Sequence, residues 1–377
     1  MMIGPYEAKK GGSIKYKGNK VFPPIEDVRG IPISISEMEN RVLSIHDNNN
    51  WLSICKINNQ INYSITNFFT EMNALFIPLP LTTRMISSPG AVYGKETINY
   101  STDTCPITLK WFDLTNNAFL AESSQIYLEL TLLQKGVNHV FANYNSFRKE
   151  NSDFSHLSEF HHIEYEGHVT QKQNQEIIER MLKRIVFDLL KNNESDLNTF
   201  LENKTIKELE CIFNKEIPIL KLKDVLELLY EDTKEDKYKN FTLQNFGSWE
   251  EVRLTQIVGG IVGISEMPLF EVPFYHSRKD DNILLVADNT DIVWPGYRET
   301  IGSGHRVKSI GELEEKAKIF NLPIEDYKPY LQSRKFSDYK ETSGFGLGWE
   351  RLLQGILEMP FIYSASLFPR VHNTLKP

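Results

Sequence analysis

The chain has 377 residues, of which 41% are hydrophobic and 24% charged, the make-up of a globular protein able to bury one large core or two smaller ones. A net charge of −8 argues against broad, sequence-independent binding of nucleic acid. Cys55, Cys105 and Cys211 fit neither a disulfide framework nor a zinc site, no run of about 18 apolar residues offers a membrane span, and the N-terminus has no signal-peptide core, so a reducing cytoplasm is the expected location.

Residues 1–61 form an expected N-terminal extension. Lys9, Lys10, Lys15, Lys17 and Lys20 suggest an exposed basic segment, residues 42–45 and 51–54 suit short strands or helix pieces, and no five-strand pattern marks a small barrel. Residues 62–75 have helical periodicity. Pro78 and Pro80 then exclude a central strand, because proline cannot donate to the ladder, so this piece belongs at an edge or interface.

A polar loop follows at 92–107, then a hairpin at 107–112 and 118–121. Ser123 or Ser124 caps the next helix. Strands are expected at 139–147 and 159–166. Alternation puts Phe160, His162, Glu164 and Glu166 on one face of the second, and His161, Ile163 and Tyr165 on the other. An aromatic ring, an imidazole and two carboxylates on one face suggest the floor of a polar site.

Residues 174–192 make an amphipathic helix, and 193–245 a peripheral helical region whose charge is solvated. Strand character returns at 268–272, 283–286 and 291–294. Ser309 and Glu312 make a capping box for a helix ending near Phe320.

The most informative stretch is Gly344-Phe345-Gly346-Leu347-Gly348-Trp349-Glu350-Arg351-Leu352. Glycine at every second position lets a backbone lie close to something bulky, and a strand running into a helix start suits a phosphate. Arg351, in the first helical turn, can grip phosphate oxygens. Arg148 and Glu150, followed by a loop and Phe160, complete an ATP-binding chemistry: a guanidinium for the α-phosphate, a carboxylate for the adenine amino group and a ring to stack on the purine. Standing alone, Arg148 and Glu150 would be a surface pair. Asp291 and Glu299 are carboxylates suited to Mg²⁺ on the phosphates.

GFGLGWERL, with the later Phe368-Pro369-Arg370, resembles motif 3 of class II aminoacyl-tRNA synthetases, nearest the asparaginyl/aspartyl subgroup. Residues 146–150 with 156–160 resemble motif 2, and the helix before Pro80 resembles motif 1. The resemblance implies an α+β fold, a class II synthetase-like catalytic domain over 62–377 with an antiparallel sheet flanked by helices, in a homodimer. It implies Arg148 and Arg351 as catalytic residues, and an ATP site of Arg148, Glu150, His156, Phe160, Asp291, Glu299, Gly348 and Arg351, with Phe160 and Arg351 sandwiching adenine. Asp291 and Glu299 would hold Mg²⁺. Ser124, Gln125, Glu129, His162, Glu164, Gly302 and Arg306 would bind the amino acid, with Gln125 and Glu164 on its α-amino group. Gly304 stands where relatives carry a serine, which puts one metal contact in question.

Residues 123–129 are similar to asparaginyl enzymes, with Leu128 where aspartyl enzymes carry a lysine for the substrate carboxylate. Two departures bear on the acceptor: only some 60 residues precede motif 1, and residues 151–155 hold no arginine where the family places several. The expectation is therefore an ATP-dependent ligase that adenylates asparagine (or aspartate) and passes the acyl group to ammonia or a small amine, with tRNA as the less expected acceptor. This is similar to the asparagine synthetase related to asparaginyl-tRNA synthetase. Amidation of aspartate, charging of asparaginyl-tRNA and a non-catalytic regulatory paralogue remain the alternatives.

Overall fold

The computed structural model describes residues 2–3, 6–8, 14–16, 19–22, 40–98, 104–150, 154–279, 284–359, 361–372 and 375. Parts of the expected basic segment (9, 10 and 17), of the polar loop (99–103), of the arginine-free loop (151–153) and Ile283 lie outside them.

Four short strands, Met2–Ile3, Tyr6–Ala8, Ile14–Tyr16 and Asn19–Phe22 (β1–β4), pair in sequence as an antiparallel meander. Helices Arg41–Asp47 (α1) and Asn50–Glu71 (α2) follow. The expected boundary at 61/62 thus falls inside α2. Trp51, Ile54, Ile57, Ile61, Ile65, Phe68 and Phe69 form one unbroken buried stripe, and a stripe repeating every three to four residues specifies a single helix rather than strand pieces. Asn73, with φ 57°, ends the helix before residue 75, earlier than its periodicity suggests.

Leu75–Phe76 (β5) lies at an edge of the main sheet, as the prolines require. Thr82–Thr83 (β6), Thr108–Leu109 (β7) and Ala118–Leu120 (β8) make a small sheet containing the expected hairpin, followed by helix Gln125–Thr131 (α3). The long hairpin His139–Phe147 (β9) and Glu159–Gly167 (β10) leads into helix Gln171–Asn192 (α4), whose Thr170 cap completes a capping box with Gln173.

Helices Glu194–Leu197 (α5), Asn203–Phe213 (α6) and Leu222–Thr233 (α7) fill the stretch expected to be peripheral, strand Ile219–Lys221 (β11) within it joins the edge of the main sheet, and helix Ser248–Val258 (α8) follows. Strands Val262–Ser265 (β12), Asn289–Val293 (β13) and Glu299–His305 (β14) return to the sheet. Residues 268–272 make only a single bridge, Pro268 to Val286, because Pro268 and Pro273 interrupt the donors a strand there would need. Helices Ile310–Ile319 (α9) and Ile324–Ser333 (α10), strand Ser343–Gly348 (β15) and helix Trp349–Ile356 (α11) complete the chain.

The main sheet has eight strands in the order β11-β12-β13-β14-β15-β10-β9-β5, antiparallel except at its two outer pairs. One face packs on α2 and α4. There Phe69 stacks on Phe141 and Tyr165, with ring centroids 4.6 and 5.5 Å away, and Ile163, Ile301, Phe345 and Leu347 are buried in the same core. With that face apolar, the two-residue period of a strand forces the alternate positions onto the other face.

Candidate active site

The polar face is organised by register. Asp291 lies opposite Gly302, Gly302 opposite Gly346, and Gly346 opposite Glu164. Adjacent strands lie about 4.8 Å apart, so roughly 14 Å separates these two carboxylate-bearing residues, with only glycine backbone between them. A trough results. In the next row, Glu166, Gly344, Gly304 and Asn289 align in the same way.

The glycines of β15 make room, but mainly for the protein's own side chains. A Cβ on Gly344 would sit 1.9 Å from Glu166 Oε2, and one on Gly346 would sit 2.7 Å from His162 Nε2. At Gly348 the nearest atom would be 3.8 Å away, which leaves a slot open there.

A cavity of about 280 Å³ fills the trough, with Arg148, His162, Glu164, Asp291, Glu299 and Arg306 in its walls. A narrower slot adjoins it, lined by Glu150, His156, Phe160, Gly348 and Arg351.

At one end, Glu164 Oε1 accepts from Ser123 Oγ at 2.5 Å and Oε2 from the Ser124 amide at 3.3 Å. Burial pushes the Glu164 carboxyl up to about 7, against the pull of the Ser123 and Tyr144 hydroxyls and Arg306. Gln125 Nε2 donates to the Tyr165 carbonyl and to Glu166. Arg306 donates to Glu166 from Nε at 3.0 Å and Nη2 at 2.8 Å. Burial disfavours the Arg306 charge, but Glu166 more than offsets this and holds its pKa above the usual arginine value.

Two residues expected at the amino acid, Ser124 and Glu129, do not line this cavity, and a third, Gly302, lines it at the far end. Ser124 is fully buried with its hydroxyl toward Pro80, and Ser123 faces the cavity instead. Glu129 points away into a buried cluster, where it accepts from Tyr330 and Tyr339 hydroxyls and pairs with Arg334; a guanidinium buried there requires a counter-charge. Gly302 lies at the acidic end, where a Cβ would sit 2.7 Å from Glu299 Oε1. Leu128 is fully buried against Leu132, Val140, Ala142 and Tyr144, away from the cavity.

His162 stands mid-trough, its Nδ1 3.1 Å from Ser146 Oγ. Burial, then Arg148 and Arg351, lower its pKa to about 3, so the ring is neutral at physiological pH.

At the other end, burial and then their mutual repulsion hold Asp291 well above the usual carboxylate range; burial also raises Glu299, against the attraction of Arg351. Arg351 donates to the carbonyls of Glu299 (2.6 Å) and Ser155 (3.1 Å). Arg148 lies over the Phe160 ring, 5.1 Å from its centroid, so the cation on that face is Arg148 as the structure stands. Glu150 Oε2 is 3.9 Å from His156 Nε2. Ser303 does not replace the missing serine, since its hydroxyl donates inward to the Thr290 carbonyl at 2.6 Å. At Gly304 the ring of His276 takes up the space. Among the described residues no group of three or more His, Cys, Asp or Glu side chains is arranged to hold a metal by itself.

Sequence reasoning missed Glu251 and Arg298, which line the cavity beside Glu299. Glu251 comes from α8, just beyond the 193–245 stretch expected to be peripheral, and its spacing carries no signal. Arg298 directly precedes Glu299, but no motif or spacing in the sequence singles it out.

The chain belongs to a family of ATP-dependent, adenylate-forming amino-acid ligases. The family model described as tRNA synthetases class II (D, K and N) matches residues 35–372. Among curated relatives, the asparagine–tRNA ligase of Metamycoplasma arthritidis is 30% identical over 338 residues, covering 88% of this chain and 72% of that protein. That of Clostridium tetani is 28% identical over 333 residues, covering 85% and 71%. Among solved structures, the asparaginyl-tRNA synthetase of Pyrococcus horikoshii complexed with asparaginyl-adenylate has a TM-score of 0.80 at 23% identity, covering 97% of this chain and 78% of that one. The Entamoeba histolytica asparaginyl-tRNA synthetase with asparaginyl-adenylate has a TM-score of 0.75 at 20% identity, covering 91% and 72%. Among the described residues no helix is long and apolar enough to cross a membrane.

Proposed function

We propose that the trough converts asparagine and ATP into asparaginyl-adenylate, and that tRNA is the acyl acceptor. The observation that carries the choice of asparagine is the Arg306–Glu166 pair. Arg306 is already neutralised, while among the described residues its Nη1 makes no hydrogen bond. A neutral amide can accept from that nitrogen and donate toward Glu166. A substrate carboxylate would meet the negative charge of Glu166 in a buried site, which costs several kcal/mol.

Glu164 takes the α-ammonium group, and this leaves the α-carboxylate facing Arg148 and His162. Phe160 and Arg351 receive the adenine in the slot, with Glu150 toward its amino group. Arg148 holds the α-phosphate as the carboxylate oxygen attacks phosphorus and pyrophosphate departs, so that the cations stabilise charge where it develops. The buried, mutually repelling Asp291 and Glu299 would hold Mg²⁺, leaving further positions for phosphate oxygens. When bound, the ion would neutralise the leaving pyrophosphate.

The arginine-free segment 151–155 favours ammonia or a small amine as acceptor. Against it, the matched relatives are asparagine–tRNA ligases, and the match runs through 72% of the Metamycoplasma arthritidis protein, which supports tRNA. A pair of experiments separates these. Pyrophosphate exchange with each amino acid in turn should select asparagine; exchange with none removes the adenylation reading. Labelled asparagine should then become acid-precipitable with cognate tRNA, whereas AMP release that rises only with added amine supports the alternative.

A further inference from the structure

We propose that Arg298 is a phosphate-binding residue: from the turn before β14 it supplies the cation that the 151–155 loop lacks, and it holds the β- and γ-phosphates of ATP. The assignment rests on the ATP reading above and concerns a residue outside the expected site.

Residues 151–155 run Asn-Ser-Asp-Phe-Ser, without a basic side chain. Arg298 reaches across the cavity to the end of that segment. Its Nη1 donates to Ser155 Oγ at 3.2 Å and to His156 Nε2 at 2.9 Å. The guanidinium is aimed from behind by Glu251, whose Oε2 accepts from Nε at 2.9 Å and from the Glu299 amide at 3.4 Å. The turn carrying it is pinned. Gly296, at φ 73°, donates its amide to Thr255 Oγ1 on the same helix as Glu251, and the Trp294 amide donates to the Arg298 carbonyl.

Its surroundings gather positive charge that Glu251 and Glu299 offset only in part. Arg298 lines the cavity with Arg148 and Arg351, its side chain only 15% exposed. After burial, Arg298 is the largest influence disfavouring the charge on Arg351. Guanidiniums crowded in a buried site repel one another, and a polyphosphate between them relieves that repulsion through charge-assisted, forked hydrogen bonds. Since Asp291 and Glu299, which would hold Mg²⁺, stand at the same end of the trough, Arg298 faces the position suited to the β- and γ-phosphates of ATP.

Calorimetric titration with Mg·ATP and, separately, with AMP tests the assignment, because AMP keeps adenine, ribose and the α-phosphate only. Arg298→Ala should weaken ATP by about 10- to 100-fold, the range of a lost charged hydrogen bond, and leave AMP unchanged. Arg298→Lys, which keeps a cation and serves where the alanine variant fails to fold, should lose less ATP affinity and again none for AMP. Equal losses on both nucleotides would make Arg298 a support for the His156 segment and overturn the proposal, as would undiminished ATP affinity. Wild-type protein that binds neither nucleotide removes the ATP reading itself, and this assignment with it.

Discussion

Arg306 and Glu166 form a two-armed ion pair at the floor of the trough, with side chains 2% and 0% exposed. Such a pair contributes less as net stability than as a fixed charge arrangement, but breaking it leaves a buried charge uncompensated. Glu166→Ala should therefore cost about 3–5 kcal/mol of folding stability. Urea denaturation measures this, and an unchanged midpoint would show that Arg306 finds another partner.

Glu164 sets a pH dependence. Its carboxyl is raised to about 7 in the folded protein from an ordinary 4.5, so the folded state holds this proton more tightly than the unfolded chain. The stabilisation is fully present below pH 4.5 and is lost as pH rises to about 7, amounting to roughly 3 kcal/mol. Binding runs the opposite way: an ammonium group needs the carboxylate, so the KM for asparagine should climb as pH falls through 7. In Glu164→Gln that rise should vanish along with most activity; a wild-type profile flat from pH 6 to 8 counts against the role.

Asp291→Asn should separate stability from activity. Removing one of two repelling buried carboxylates ought to raise the thermal midpoint of the metal-free protein, by the equivalent of about 1 kcal/mol. The same change should shift the Mg²⁺ dependence of pyrophosphate exchange to higher concentrations. A lower midpoint together with an unaltered Mg²⁺ dependence would contradict both halves.

Arg351→Ala and Glu299→Ala should each lower pyrophosphate exchange by roughly a thousandfold, since Arg351 positions the nucleotide against Phe160 and Glu299 would hold the ion that neutralises the phosphates, each worth several kcal/mol. Near-normal exchange in either variant refutes its assignment.

Leu128→Lys tests where specificity lies. Leu128 is fully buried among apolar side chains, so an ammonium there costs several kcal/mol of stability. It should unfold the protein at lower urea without conferring activation of aspartate. A stable, aspartate-activating variant would return the side-chain specificity to this position.

The amino-acid order alone was sufficient for the two faces of β10, because a strand's two-residue period separates Phe160, His162, Glu164 and Glu166 from Ile163 and Tyr165 wherever the strand ends up. It was also sufficient to single out Arg148, Glu299, Arg306 and Arg351, which the fold brings to one cavity, and the edge position of the segment at Pro78 and Pro80. It did not determine which neighbours those residues would meet. The row Asp291–Gly302–Gly346–Glu164 exists only through the register of four strands drawn from distant parts of the chain. Glu129 looked like a substrate contact on its helix, yet the burial of Arg334, some two hundred residues later, draws it away. Glu251 and Arg298 joined the site because α8 packs behind the turn between β13 and β14. Periodicity is a property of the backbone and can be read along the chain; charge pairing depends on distance in space, and only the packed sheet and its helices set those distances.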